Sequence, residues 1–142
     1  MTYNEAFFGL YKDLFVVLRK ELGEKKALEL FTKIIEKGLK EAYDALGFKK
    51  GDPQEFARVV AEQDRSVGLQ ANFPEATEEK IVYHSFKDPF SKLRGEVAPQ
   101  KLDATYMNFK VNYLLGDNWQ YKATKHLWKG DTCIEYSITK KK

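Results

Sequence analysis

Thiols are almost absent from this chain of 142 residues, which contains one cysteine, Cys133. One cysteine cannot form an internal disulfide, so the sequence excludes a disulfide-stapled fold and favours a reducing, cytoplasmic location. A signal-peptide pattern is also absent, because no basic region is followed by an apolar run and a small-residue cleavage site. No apolar stretch approaches the roughly 20 residues that span a bilayer, so we expect no membrane partner.

The chain also lacks a large excess of positive or negative residues. The 24 basic residues are offset by 21 acidic ones, which leaves a formal net charge of +3. Nucleic-acid binding needs a concentrated basic face, and the basic block at residues 140–142 is typical of a solvated end. We therefore expect no nucleic-acid partner. With 43% hydrophobic and 14% aromatic residues, the chain has enough apolar material for one domain over residues 1–142.

Helical spacing dominates the first part of the chain. Residues 4–22 place six apolar side chains on one face: Phe7, Leu10, Tyr11, Leu14, Val17 and Leu18. Phe8, Phe15 and Val16 widen this apolar arc beyond what one neighbouring helix requires. A wide apolar patch usually marks an interface, so we predict a homodimer through this helix or through the next, over residues 24–46.

The third helix has the clearest start signal in the sequence. Asp52 can cap its first turn, and Pro53 fits the first helical position. The helix should end near residue 67. Its inner face contains a polar residue, Gln63, which when buried must bond to a neighbouring backbone group or face a polar cavity. Residues 68–79, with glycine, asparagine, proline and acidic residues, predict a loop.

Strands around one more helix are predicted in the second half. Residues 80–86 are β-branched and aromatic, and Pro89 should end that strand. A helix over residues 99–115 carries a stripe of Leu102, Tyr106, Phe109 and Tyr113. Residues 119–128 and 132–139 alternate, and the glycine turn between them predicts a β-hairpin. The fold class is α+β, with N-terminal helices packed on an antiparallel sheet and a long helix before a C-terminal β-hairpin.

The hairpin segment "LWKGDTCIEY", residues 127–136, resembles the ending of two related protein groups. One is the L-2-amino-thiazoline-4-carboxylic acid hydrolase-like family, and the other is the 4-vinyl reductase ligand-binding domains. The resemblance implies helices on an antiparallel sheet and an apolar pocket. The first family name also implies hydrolysis of a C–N bond in a small cyclic substrate. No glycine-rich phosphate loop is present, and we expect no cofactor.

Two departures from the family pattern concern the thiol. The family's first strand tends to end in Cys-Pro, whereas here Asp88 precedes Pro89. Cys133 also comes one residue earlier after Gly-Asp than the family's late cysteine, and a slip of one residue in a strand reverses the side chain's face. We therefore predict that Cys133 is structural. The alternative is a catalytic nucleophile with His126 or His84 as its base.

A metal site is another possible role for the same residues. Cys133, His84 and His126, joined by a carboxylate such as Asp88, are ligand types that a tetrahedral zinc site uses. None of the four falls in a tight ligand spacing. A histidine bonded within a strand pair accounts for the pattern equally well, and we expect no metal.

The strongest remaining signal is aromatic. Six rings from the late helix and the sheet should meet: Tyr106, Phe109, Tyr113, Trp119, Tyr121 and Tyr136. Ordinary core packing is one interpretation. The other is a ligand-binding pocket with apolar walls and a few polar groups, including Gln63 and His84. We predict a small-molecule-binding domain, whose enzymatic version is a hydrolase of the resembled family. The alternatives are a non-catalytic sensor similar to the 4-vinyl reductase domains and a dimeric protein-interaction module.

Overall fold

The computed structural model describes residues 5–88 and 90–142. Its elements in chain order are α1 (Glu5–Leu22), α2 (Glu24–Leu46), α3 (Pro53–Ser66), β1 (Ala71–Ala76), β2 (Lys80–Ser85), α4 (Pro99–Leu115), β3 (Trp119–Lys125) and β4 (Ile134–Lys140). Short 3₁₀ turns occur at Ser91–Leu93 and Leu127–Lys129. The predicted α+β architecture, with leading helices, a late helix and a C-terminal hairpin, is confirmed.

The helix boundaries follow their local signals. Asp52 Oδ1 accepts hydrogen bonds from the backbone N–H groups of Gln54 at 2.9 Å and Glu55 at 3.4 Å, and Pro53 is the first residue of α3. Gly47 ends α2 with a φ of 72°, a conformation that glycine adopts without strain. The predicted bounds of α2, α3 and α4 therefore agree with the structure to within one residue.

The predicted inner face of α1 is wrong in part, although Tyr11 and Leu18 of the predicted stripe do pack against the core. Phe8 and Phe15 are buried, whereas Leu10 and Val17, which we expected inside, are 69% and 57% exposed. Both faces of α1 carry apolar residues, so spacing alone allows either face to be buried. The face with the larger rings packs inward, where Phe15 lies 5.4 Å from Phe31 of α2 between ring centroids.

The prediction of a loop over residues 68–79 is also wrong, because β1 occupies part of it. β1 is an edge strand that pairs antiparallel with β2, and its register shifts between Asn72 and Glu75. Pro74 lies within that bulge, where its missing N–H removes no required ladder bond. Phe73 points inward and stacks on Tyr83, with ring centroids 5.0 Å apart.

The sheet has the order β1-β2-β4-β3, with antiparallel neighbours throughout. The predicted β3–β4 hairpin is confirmed, but both strands are shorter at the turn than predicted. His126 leaves the ladder because its backbone N–H donates to Asp131 Oδ2 at 2.8 Å, and its ring Nδ1 accepts from the Trp128 N–H at 3.1 Å. Pro89, which should end β2, lies outside the described residues, as do residues 1–4.

The helices cover one face of the sheet in two layers. α3 and α4 pack on the sheet, α2 packs on α4, and α1 packs on α2. Because α4 is enclosed by neighbours on several sides, its buried set includes two charged residues, Asp103 and Lys110, outside the predicted stripe. No helix within residues 5–88 and 90–142 is long and apolar enough to cross a membrane.

Candidate ligand-binding cavity

A partly enclosed cavity of about 350 Å³ lies between the four helices and the inner face of β2 and β4. Most of its wall is apolar or aromatic, including Phe8, Ile35, Leu39, Phe90 and Ile134. α1 and α2 close the side that faces away from the sheet. Such a shape, with apolar walls and few polar groups, is typical of small-molecule sites.

Three polar side chains in this wall form what we call the Asp64 cluster: Asp64, Tyr83 and Lys110. The Tyr83 hydroxyl donates a hydrogen bond to Asp64 Oδ2. Lys110 Nζ lies 5.3 Å from the centroid of the Tyr83 ring and 5.4 Å from that of the Tyr106 ring. Among the described residues, Nζ has no hydrogen-bond acceptor and no ion-pair partner. The groups that contact Nζ directly are two ring faces, which attract cations weakly.

Burial shifts both charged groups of the cluster toward their neutral forms. Lys110 is 4% exposed and Asp64 is 5% exposed. Loss of solvent lowers the pKa of Lys110, and the negative charge of Asp64 opposes that shift. Loss of solvent likewise raises the pKa of Asp64, against the effects of Lys110 and of the Tyr83 hydrogen bond. The cavity thus contains an amine and a carboxyl group that can each give or take a proton.

Helix geometry explains why Tyr106 and Lys110 share the cavity. They are four positions apart on α4, so their side chains project from the same face one turn apart. Asp64 reaches them from the last turn of α3. Our sequence analysis missed both charged residues, although extending the Leu102–Tyr106 stripe by another four positions leads to Lys110.

A second polar group, the Asp103 cluster, lies on the other side of Tyr106 and consists of Asp103, Tyr106, Tyr136 and His126. The Tyr106 hydroxyl donates to Asp103 Oδ1 at 3.1 Å, and the Tyr106 and Tyr136 hydroxyl oxygens are 3.0 Å apart. His126 Nε2 lies 3.6 Å from Asp103 Oδ1. Burial raises the pKa of Asp103, which the nearby His126 and the tyrosine hydroxyls oppose. Asp103 and His126 also line an outer cleft of about 460 Å³.

Three of the predicted ligand-binding residues line the cavity: Tyr106, Tyr136 and Gln63. Tyr121 instead lines the outer cleft, and burial raises its pKa to about 12. The cavity wall is therefore built partly from the predicted tyrosines and partly from residues of α1 and α2 that the aromatic pattern did not suggest.

The other predicted ligand-binding residues lie elsewhere. Phe109 and Tyr113 stack on each other at 4.9 Å, and the Tyr113 hydroxyl donates to Asp44 on the outer side of α2. Trp119 packs at the far end of the core, with Lys140 Nζ 5.4 Å from its ring centroid. These three rings lie apart from the cavity lining, and so does His84.

His84 lies on the outer face of the sheet, in register with Glu135 of β4. Its Nε2 is 2.6 Å from Glu135 Oε2. On β2 the inward positions are Ile81, Tyr83 and Ser85, so the strand alternation directs His84 away from the helices. This residue therefore belongs to a cross-strand pair.

Cys133 is buried just before β4 and lies outside the cavity lining, although the next residue, Ile134, is part of it. Within the described part of the chain, no hydrogen bond links Cys133 to His84 or His126. In the same part of the chain, no group of three or more histidine, cysteine, aspartate or glutamate residues is arranged to hold a metal ion. Asp88, another candidate ligand, accepts from the Phe90 N–H at 2.8 Å and from the Trp128 ring N–H.

Comparison with known proteins leaves the cavity as the basis for a functional argument. No model of a known protein family matches the chain. No curated protein sequence matches it either.

Proposed function

We propose that the protein binds a small, mainly apolar molecule in the cavity between its helices and its sheet. One observation carries the proposal: Lys110 is 4% exposed and lines the cavity, and its amino group has no hydrogen-bond acceptor among the described residues. A buried lysine head group is costly unless something pairs with it. A ligand oxygen would supply that missing acceptor.

The dimensions of the cavity support a ligand of this kind. Its volume of about 350 Å³ falls at the lower end of the range for small-molecule pockets, roughly 300–1,000 Å³. The aromatic wall favours a flat or ring-shaped apolar body. Lys110 and Asp64 favour a carboxylate or carbonyl oxygen at one end of that body.

Thermal unfolding with a small-molecule set tests this proposal. The set should contain heterocyclic carboxylic acids, apolar carbonyl compounds, and matched hydrocarbons that lack the oxygen. We expect oxygen-bearing compounds to raise the unfolding temperature more than their hydrocarbon partners do. A ligand at about one hundred times its Kd adds about 2.7 kcal/mol to the stability of the folded state.

Two variants give the test its control. Lys110→Met keeps an unbranched apolar side chain but removes the amine, so it should weaken binding of the oxygen-bearing compounds most. Lys33→Met removes an exposed lysine of α2 and should leave binding unchanged. If no compound stabilises the wild-type protein, or if Lys110→Met binds every compound equally well, the proposal is wrong.

In the enzymatic version of this proposal, the protein hydrolyses the molecule that it binds. The resemblance of residues 127–136 to the hydrolase-like family suggests this version. The carboxyl of Asp64, with its raised pKa, supports it because a protonated acid can donate to a leaving nitrogen. Cys133 gives it no support, since it lies outside the cavity lining. Incubating a bound cyclic amidine or thiazoline acid and following its mass separates the two versions: a hydrolase consumes it, and a sensor returns it unchanged.

We also propose a homodimer that uses α1. Leu10 and Val17 support this, because they leave a strongly exposed apolar stripe on the outer face of the helix. Light scattering at tens of micromolar concentration should give twice the monomer mass, and Leu10→Glu with Val17→Glu should give the monomer. A monomer mass for the wild-type protein would contradict the proposal.

A further inference from the structure

Lys110 occupies an unusual position for a lysine. It lies in the middle of α4, is 4% exposed, and lines the cavity together with Tyr83, Tyr106 and Asp64. Most buried lysines are paired with a carboxylate. Here Tyr83 and Tyr106 flank Nζ with their ring faces, and Asp64, the nearby acid, forms no ion pair with it.

We infer that Lys110 is a nucleophile that forms an imine with the carbonyl carbon of an aldehyde or ketone bound in the cavity. This inference rests on the proposed function, because it assigns a ligand class to the same cavity. An amine becomes a good nucleophile when it is uncharged and desolvated. The apolar wall around Nζ supplies that condition, and burial lowers the pKa of Lys110 accordingly.

Asp64 completes the arrangement. Its Oδ2 is engaged by the Tyr83 hydroxyl, while Oδ1 has no hydrogen-bond partner among the described residues. Burial raises the pKa of Asp64, so its carboxyl group can hold a proton inside the cavity. An acid beside an amine is what the dehydration step of imine formation needs.

The reaction balances without any oxidant or reductant. The lone pair of Nζ forms a bond to the carbonyl carbon, and the π electrons move to the oxygen. A proton passes from nitrogen to oxygen and gives a carbinolamine. Asp64 then protonates the hydroxyl group, which leaves as water while the C=N bond forms, and the remaining nitrogen proton returns to Asp64. One amine and one carbonyl compound thus yield one imine and one water.

Borohydride trapping with naphthaldehyde tests the inference. Borohydride reduces the imine to a stable secondary amine, and peptide mass mapping locates it. We expect one adduct, on Lys110, at neutral pH. A lower pKa raises the uncharged fraction of an amine at pH 7, so Lys110 should label faster than the exposed Lys33.

Three controls sharpen the trapping experiment. Lys110→Met should lose the adduct, whereas Lys33→Met should keep it. Asp64→Asn should slow trapping by a larger factor than it weakens binding of naphthylmethanol, which has the same rings but no carbonyl group. An excess of naphthylmethanol should also block labelling of the wild-type protein, a result that does not depend on any variant folding.

The outcomes separate this inference from the proposed function. If naphthylmethanol stabilises the protein but the adducts spread over exposed lysines, imine formation is overturned and the binding cavity remains. If neither compound stabilises the protein and no adduct forms on Lys110, both proposals are wrong. A single blocked adduct on Lys110 supports both.

Discussion

The Asp64 cluster and the Asp103 cluster are each built around a buried aspartate whose pKa is raised by loss of solvent. They differ in how the neighbouring basic group is held. In the Asp103 cluster, the ring of His126 accepts a hydrogen bond from the Trp128 N–H at 3.1 Å, which fixes its orientation. In the Asp64 cluster, no described residue accepts a hydrogen bond from Lys110 Nζ.

This difference separates a polar group that supports the fold from one suited to a ligand. The Asp103 cluster connects α4 to β4 and to the hairpin turn through Tyr106, Tyr136 and His126. The unpaired groups of the Asp64 cluster face the cavity, whereas the unpaired oxygen of the Asp103 cluster, Asp103 Oδ2, is fully buried. Burial and a raised pKa are common to both, so neither property alone identifies a binding site.

The largest expected effect comes from removing the charge of one aspartate at a time. Asp64→Asn leaves the Lys110 charge buried without a compensating anion and should cost about 3 kcal/mol in the free energy of unfolding at neutral pH. Asp103→Asn leaves mainly neutral hydroxyl neighbours and should cost about 1 kcal/mol. Urea unfolding of both variants measures the difference.

A second substitution tests why Asp64→Asn should lose more stability than Asp103→Asn. Adding Lys110→Met to Asp64→Asn removes the uncompensated cation and should recover most of the lost stability. Adding Lys110→Met to Asp103→Asn should change the free energy of unfolding only by the amount that Lys110→Met changes it in the wild-type protein. Equal losses for the two single variants would mean that the two clusters do not differ as described.

A smaller effect is expected in the dependence of stability on pH. The pKa of Lys110 is lower in the folded protein than its ordinary value of 10.5. Between the folded and unfolded pKa values of Lys110, the unfolded chain binds more protons than the folded protein does. Lys110 therefore makes stability rise with pH in that range. Lys110→Met should therefore be more stable than the wild type by about 1–2 kcal/mol near pH 7, and the gap should shrink as the pH approaches 10.5.

Urea unfolding at several pH values between 6 and 10.5 measures that gap. Lys33→Met, which alters an exposed lysine, should follow the wild-type curve throughout. A gap between Lys110→Met and the wild type that stays constant with pH would show that the gain comes from packing and not from the charge.

The smallest expected effects concern tyrosine hydroxyl groups. Tyr136→Phe removes the hydroxyl next to Tyr106 in the buried core and should cost about 1 kcal/mol. Tyr113→Phe removes a hydroxyl that donates to Asp44 on the outer side of α2, and it should leave stability nearly unchanged. Ligand binding should change only in Tyr136→Phe, and a change in Tyr113→Phe would contradict the assigned cavity.

The sequence was most informative where local chemistry decides the structure. The capping group at Asp52, the glycine at position 47 and the alternation of β4 are short-range signals, and they predicted the helix bounds and the hairpin. β1 was missed because Pro74 and the nearby acidic residues are typical of loops. Only the neighbouring β2 makes that segment a strand, and pairing between strands is not visible in local composition.

The candidate site was harder to predict for a different physical reason. Charged residues usually lie at the surface, so Asp64 and Lys110 were not assigned to the inner faces of α3 and α4 although their spacing fits those faces. Their burial depends on α4 being enclosed by α2, α3 and the sheet together. Tyr106 and Tyr136 were predicted because aromatic residues signal burial by themselves, whereas a buried lysine has no such local signal.

The bulge at Pro74 also affects how the protein can associate with other chains. An open sheet edge is a template on which a strand from another molecule can add, which leads to aggregation. At β1 the register shift and the missing N–H of Pro74 interrupt the row of donors that such a strand would need. At the opposite edge, β3 carries the exposed residues Lys122 and Lys125, whose charges repel a second copy of themselves. Edge-to-edge sheet growth is thus disfavoured on both sides of the sheet.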